Sequence, residues 1–120
     1  MKKILVIEDD PWQAEHTIDV LAKAGYKVSH ARDALEALDI LDQQKIDLIV
    51  LDMFLPGPNA FTLLHELKSH QDLAQIPVVI FSTQAEYTLD TLKPYGVVDL
   101  VDKTTAKQGD LVSAITKGLA

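Results

Sequence analysis

The chain has 120 residues, a formal charge of −7 and no cysteine. Its length suits one domain, at roughly 150 residues per domain, and such a chain buries enough surface to fold without disulfides. The acidic balance argues against binding of phosphate backbones by this segment, 48% hydrophobic residues exclude disorder, and no apolar run longer than four residues excludes a membrane-spanning helix or a signal-peptide core.

In chain order, residues 4–7 (Ile-Leu-Val-Ile) predict a first strand. A helix follows, with Asp10 as N-cap, Pro11 at the first helical position, Ala14, Ile18, Leu21 and Ala22 on its inner face, and Gly25 just past its end. Residues 26–29 predict a second strand, and Asp33 with Glu36 resembles a capping box opening a helix with Leu35, Leu38 and Leu41 inward. Residues 48–51 predict the third strand. Ala60, Leu63, Leu64 and Leu67 supply the i, i+3, i+4, i+7 stripe of a third helix. Residues 78–81 predict the fourth strand, followed by a weak helix over 86–92 that Pro94 should stop. Residues 97–101 predict the last strand. The last helix runs from Gly109 or Asp110 to Lys117 with Leu111, Ala114 and Ile115 inward. Strands that read as unbroken apolar runs are covered on both faces. Strands alternating with helices therefore predict right-handed βαβ crossovers and a three-layer α/β sandwich around a parallel sheet.

In such sheets ligands bind outside the carboxyl ends of the strands. Those ends carry Glu8-Asp9-Asp10, Asp52, Ser82-Thr83 and Asp102-Lys103. Carboxylates converging there repel one another unless a hard divalent cation or raised pKa values relieve them. Lys103 supplies only one positive charge. Mg²⁺ suits a few carboxylates plus water and a phosphate oxygen, and the Ser82 hydroxyl and Lys103 ammonium are suited to hold phosphoryl oxygens beside Asp52. That is the equipment of phosphoryl transfer to a carboxylate. Taken singly, each residue also has an ordinary reading: Asp10 as a helix cap, Asp52 as a turn residue, Lys103 as a surface lysine. It is their conjunction at four strand ends that points to a site.

The stretches from Lys3 to Pro11, Leu48 to Pro56, Ile76 to Thr83 and Gly96 to Lys103, in that order, resemble the response-regulator receiver domains of two-component signalling, across the whole chain. The resemblance implies a flavodoxin-like, doubly wound (βα)5 sandwich with strand order 2-1-3-4-5 and one receiver domain over residues 1–120. It implies Asp52 as phosphoacceptor, Asp9 and Asp52 as direct Mg²⁺ ligands, Glu8 acting through a water, and the Phe54 backbone carbonyl as a further ligand. Ser82 becomes the switch hydroxyl, with Thr83 and Leu100 at the other switch positions, and Lys103 the phosphoryl-binding lysine. The implied partners are a histidine kinase or phosphotransfer protein and a downstream effector or output domain, with a homodimer left open. No nucleic acid or membrane contact is expected. The location implied is the cytoplasm, and the domain is expected to be no enzyme beyond catalysing its own phosphorylation and dephosphorylation.

This chain departs from the family pattern in several places. Thr104 follows Lys103 where proline is usual; a cis bond before threonine would cost about 2.5–4 kcal/mol, so trans is expected. Leu100 replaces the usual aromatic switch, Asn59-Ala60 replaces the frequent Asp-Gly, and Pro56-Gly57-Pro58 should stiffen the loop after Asp52. Phe54 and Thr83 are bulky neighbours of the acceptor. Trp12 is expected on the surface, and His16, His30, His65 and His70 have no metal-ligand spacing and no position near the site. The alternative reading is an interaction module that keeps the fold and signals without phosphate. The chain has neither the Gly-rich loop of a P-loop nor the second acid of haloacid-dehalogenase-like phosphatases, and Glu8-Asp9-Asp10 would repel the phosphate of a flavin.

Overall fold

Each apolar run forms a strand. The computed structural model describes residues 1–55, 59–83, 87–107 and 109–120. Strands and helices alternate as β1 (Lys3–Ile7), α1 (Pro11–Lys23), β2 (Lys27–Ala31), α2 (Ala34–Gln43), β3 (Leu48–Leu51), α3 (Ala60–Ser69), β4 (Val78–Ser82), α4 (Leu89–Leu92), β5 (Val97–Asp102) and α5 (Asp110–Leu119). Single 3-10 turns at Leu73–Gln75 and Lys93–Tyr95 precede β4 and β5. The strands form one parallel sheet in the order β2-β1-β3-β4-β5, as expected.

The period-two alternation of strand side chains divides the core between the two faces. Leu5, Ile7, Ile49, Leu51 and Ile80 enter the cluster built with α2, α3 and α4. Ile4, Val6, Leu48, Val50 and Val79 enter the cluster built with α1 and α5. Each of these ten residues is at most 2% exposed, which is why the central strands read as continuous apolar runs rather than alternating ones.

Helix ends follow the expected chemistry. The Asp10 carboxylate accepts from the Trp12 and Gln13 backbone N–H groups, with Pro11 in the first turn. At the other end of α1, Gly25 takes φ +95°, and the Tyr26 N–H still bonds the Leu21 carbonyl. Tyr26 therefore completes the turn that closes the helix, and β2 begins one residue later than expected and runs on to Ala31. Asp33 caps α2 through the Glu36 N–H, but the Glu36 carboxylate returns to Arg32 rather than to Asp33.

Other differences concern faces. Leu35, expected inward, is 65% exposed; Ala34 and Ala37 turn to the sheet instead, with Leu38 half-buried and Leu41 buried beside them. Small residues on the contact face let α2 approach the sheet, and that phase rotates Leu35 outward. In α1 the inner stripe is Ala14, Thr17 and Leu21, with Ile18 half-buried and Ala22 exposed. The α3 and α5 faces are those expected. The fourth helix is shorter than the predicted 86–92: Thr88 caps Leu89–Leu92, and the chain continues through Pro94 as a 3-10 turn. Pro56, Gly57 and Pro58, and the start of the predicted fourth helix at Glu86, lie outside the described residues.

Candidate phosphoryl-transfer site

The ladders of the sheet set the site. The Glu8 N–H bonds the Ala31 carbonyl and the Asp52 N–H bonds the Ile7 carbonyl, so each ladder continues one residue beyond β1 and β3. In β4, Ser82 pairs with Asp102, and the Lys103 N–H donates to the Ser82 carbonyl at 2.8 Å. Parallel pairing thus brings Glu8, Asp9, Asp52, Ser82 and Lys103 to one edge, as the sequence predicts.

Asp52 is 7% exposed. Its Oδ1 accepts from the Ser82 hydroxyl and from the Phe54 backbone N–H, each at 3.1 Å. Its Oδ2 lies 3.9 Å from the Lys103 ammonium. Glu8 is also buried; one carboxylate oxygen accepts from the Asp10 N–H and the other is in close contact with Lys103 Nζ. Burial holds the Glu8 carboxyl above its ordinary pKa, and the negative charge of Asp52 adds to that, against the opposing pull of Lys103 and the Asp10 N–H. Asp9 is exposed. One oxygen from each of Glu8, Asp9 and Asp52 lies within 4.8 Å of the others. An all-oxygen, carboxylate-rich donor set of that spacing fits a hard divalent cation rather than a thiophilic one.

Lys103 is held without a proline after it. The backbone N–H and hydroxyl of Thr104 both donate to Asp102, at 2.8 and 2.7 Å, and they hold that carboxyl below its ordinary pKa. The Ala106 N–H closes the same turn onto the Asp102 carbonyl. Among the described residues all peptide bonds are trans, as Thr104 led one to expect. The ammonium sits 5.3 Å from the centre of the Phe81 ring.

Of the remaining expected residues, Thr83 and Phe54 are exposed at the site's rim, and Leu100 packs half-buried on the core face of α2, α3 and α4. Trp12 is 81% exposed and, with Thr83, Lys103 and Leu111, lines an open groove of about 700 Å³ between α1 and the β5–α5 loop.

Two neighbours of the site were not legible in the sequence. His30, placed away from the site by its position in the chain, has its Nε2 2.8 Å from the Glu8 backbone carbonyl, because β2 lies beside β1 and extends as far as Ala31. Gln13 reaches Lys103 Nζ with its side-chain oxygen at 2.6 Å. A glutamine in the first turn of a helix carries no signal of such a contact.

The model of the response regulator receiver domain matches residues 4–116. The chain is 32% identical over 105 residues to the transcriptional regulatory protein MalR of Bacillus subtilis, covering 86% of this chain and 44% of MalR. It thus spans less than half the length of that regulator. The signal receiver domain of a signal transduction histidine kinase from Syntrophus aciditrophicus superposes with a TM-score of 0.86 at 31% identity, covering 99% of this chain and 90% of that one. The receiver domain of a sensor histidine kinase from Pseudomonas aeruginosa, solved with a magnesium ion coordinated in its active site cleft, superposes with a TM-score of 0.86 at 21% identity, covering 98% of this chain and 97% of that one. With its parallel five-stranded order and the cluster of carboxylates, hydroxyl and ammonium at one sheet edge, this chain belongs to the response regulator receiver domain family of two-component signalling.

Proposed function

We propose that Asp52 is the phosphoacceptor and that Glu8, Asp9, Asp52 and the Phe54 carbonyl hold Mg²⁺. The observation that carries this reading is the convergence of a buried carboxylate, a buried hydroxyl and a lysine ammonium within one cluster of three acids. Oδ1 of Asp52 is engaged by two hydrogen bonds, so Oδ2, on the lysine side, is the nucleophile. It forms a bond to phosphorus as the bond to the donor's leaving group breaks, and the leaving group departs with the electron pair. Lys103 then neutralises charge on the transferred group, and the Ser82 hydroxyl exchanges its Asp52 bond for a phosphoryl oxygen. When bound, Mg²⁺ supplies positive charge to the phosphoryl oxygens and relieves repulsion among the acids.

The donor is a histidine kinase or phosphotransfer protein, and the phosphorylated surface signals to an effector or output domain. The domain turns over no separate substrate; it is modified itself. Its place of action in this reading is the cytoplasm. Among the described residues no helix is long and apolar enough to cross a membrane.

Intact-mass measurement after incubation with acetyl phosphate and Mg²⁺ tests the reading. The wild-type protein gains one phosphoryl group and Asp52→Asn gains none, because an amide is no nucleophile while its shape is nearly unchanged. Labelling that persists in Asp52→Asn moves the chemistry elsewhere; a wild-type protein that is never labelled returns the domain to the phosphate-independent interaction module.

A further inference from the structure

The lysine of the site has a second attachment outside the acid cluster. The Lys103 side chain is 11% exposed; its ammonium touches the Glu8 carboxylate and donates to Gln13 Oε1 at 2.6 Å, while Asp52 Oδ2 stays beyond hydrogen-bonding distance at 3.9 Å. The other end of the Gln13 amide is also committed, since Nε2 donates to Asp10 Oδ2 at 3.3 Å. The remaining Asp10 oxygen caps α1 through the Trp12 and Gln13 N–H groups at 2.9 and 3.3 Å. A continuous polar chain therefore runs from Lys103 through Gln13 and Asp10 to the first turn of α1.

The chemistry of this chain is directional. An amide presents an acceptor to the cation and a donor to the carboxylate, and a flipped amide would set like against like at both ends. A glutamate at this place would satisfy Lys103 but repel Asp10, and a methionine would satisfy neither. Gln13 is itself exposed, so burial does not dictate its orientation; the two polar contacts do. A charge-assisted bond of this kind is stronger than one between neutral groups.

We infer that Gln13 is a positioning residue that parks the Lys103 ammonium away from Asp52 in the unphosphorylated domain, and that Lys103 leaves Gln13 when a phosphoryl group occupies Asp52. The inference rests on Asp52 being the acceptor. Two of the lysine's three protons are held by Glu8 and Gln13 in the resting state. The added negative charge of a phosphoryl group on Asp52 draws the ammonium toward it and away from the more weakly bound of these acceptors. Gln13 is neutral and outside the acid cluster, and is the acceptor given up. Its release loosens the amide that also holds the α1 cap, so the phosphorylation state is communicated to the first turn of α1, where Trp12 stands exposed.

The test uses beryllofluoride with Mg²⁺ as a stable stand-in for the phosphoryl group, its affinity measured by calorimetry. Gln13→Met removes the competing acceptor at similar length and is expected to bind beryllofluoride about three- to tenfold more tightly, the range that one net hydrogen bond of modest strength supplies. Gln13→Glu, which holds the lysine harder, is expected to bind more weakly than wild type. In a Lys103→Met background the Gln13→Met effect is expected to vanish. An equal effect with and without the lysine, or no change in Gln13→Met, overturns the inference. Should Lys103→Met bind too weakly for calorimetry, the Gln13 side-chain amide resonances decide. They are expected to move when beryllofluoride binds the wild type, and in free Lys103→Met to lie already near the liganded position. Resonances that do not move overturn the inference. Failure of the underlying assignment looks different: beryllofluoride then binds Asp52→Asn as well as wild type, or binds neither.

Discussion

Glu8 is the residue at which burial and charge oppose each other most directly. Its carboxyl is held above the ordinary value, first by burial and then by Asp52, despite Lys103 beside it. The folded domain therefore binds this proton more tightly than the unfolded chain does. Stability due to Glu8 rises as pH falls from neutrality through the raised value, and levels off below the ordinary glutamate value. This is the opposite of a carboxylate whose pKa is lowered by its partner. Mg²⁺ prefers the charged carboxylates, so its affinity is expected to weaken over the same pH range. Thermal unfolding at a series of pH values, with and without Mg²⁺, should show both trends, and Glu8→Gln should remove this residue's share of each. At neutral pH, Mg²⁺ at roughly 100 times its dissociation constant is expected to add about 2.7 kcal/mol of stability. Asp9→Asn should lose most of that gain; an equal gain in the variant would mean general screening instead of a site.

Between β4 and β5 lies the shortest α-helix among the described residues. α4 has four residues, capped by Thr88 and followed by a 3-10 turn through Pro94. Leu92 anchors it in the apolar core, and the residues on either side add aromatic contacts: Tyr87 meets Phe61 of α3 edge-on at 5.0 Å, Phe61 meets Tyr95 at 6.0 Å, and the Tyr95 hydroxyl lies 3.3 Å from His65 Nε2. Leu100 on β5, by contrast, has neither a ring to reorient nor a polar tip. Movement of Ser82 toward a phosphoryl group is therefore expected to be read by residues 87–95 and the α3 face they touch, since short elements with few buried groups open most easily. Amide exchange with and without beryllofluoride and Mg²⁺ should change protection over residues 87–95 more than over β5. Unchanged exchange there, with Asp52 occupied, would place the output surface elsewhere. Leu100→Tyr should alter the response little; a large gain would show that the missing aromatic limits the switch.

At the scale of the whole molecule, one sheet is shared by two cores. Val79 and Ile80 are adjacent in β4 and both fully buried, yet they belong to opposite clusters. Loss of packing on one face therefore weakens the strand on which the other depends. Ile80→Ala is expected to cost about 2–5 kcal/mol, the range for removing a large aliphatic side chain from a core. The loss should appear as a single displaced transition. Urea unfolding followed by near-ultraviolet circular dichroism, from the tyrosines packed against the two clusters, and by far-ultraviolet circular dichroism should give coincident curves for wild type and variant. Separate midpoints for the two signals would show that the layers unfold independently.

The strands, their parallel direction and the convergence of Glu8, Asp9, Asp52, Ser82 and Lys103 are legible in the amino-acid sequence, while the order of the strands is implied by the family resemblance. Apolar runs and helix caps are local signals, and parallel crossovers oblige the carboxyl ends of the strands to share one edge. The phase of α2 is not legible there, because three leucines look like an inner face until the sheet selects Ala34 and Ala37 for close contact and turns Leu35 outward. The extent of β2 depends on where the turn at Gly25 releases the chain. The contacts of His30 with Glu8 and of Gln13 with Lys103 join residues 22 and 90 positions apart. Sequence determined which chemical groups would meet at the site, because the periodicity of each segment and the residue that ends each strand are properties of the chain itself. Only tertiary structure decided how each group is held there, because the rotation of a helix and the approach of a loop depend on packing between distant segments.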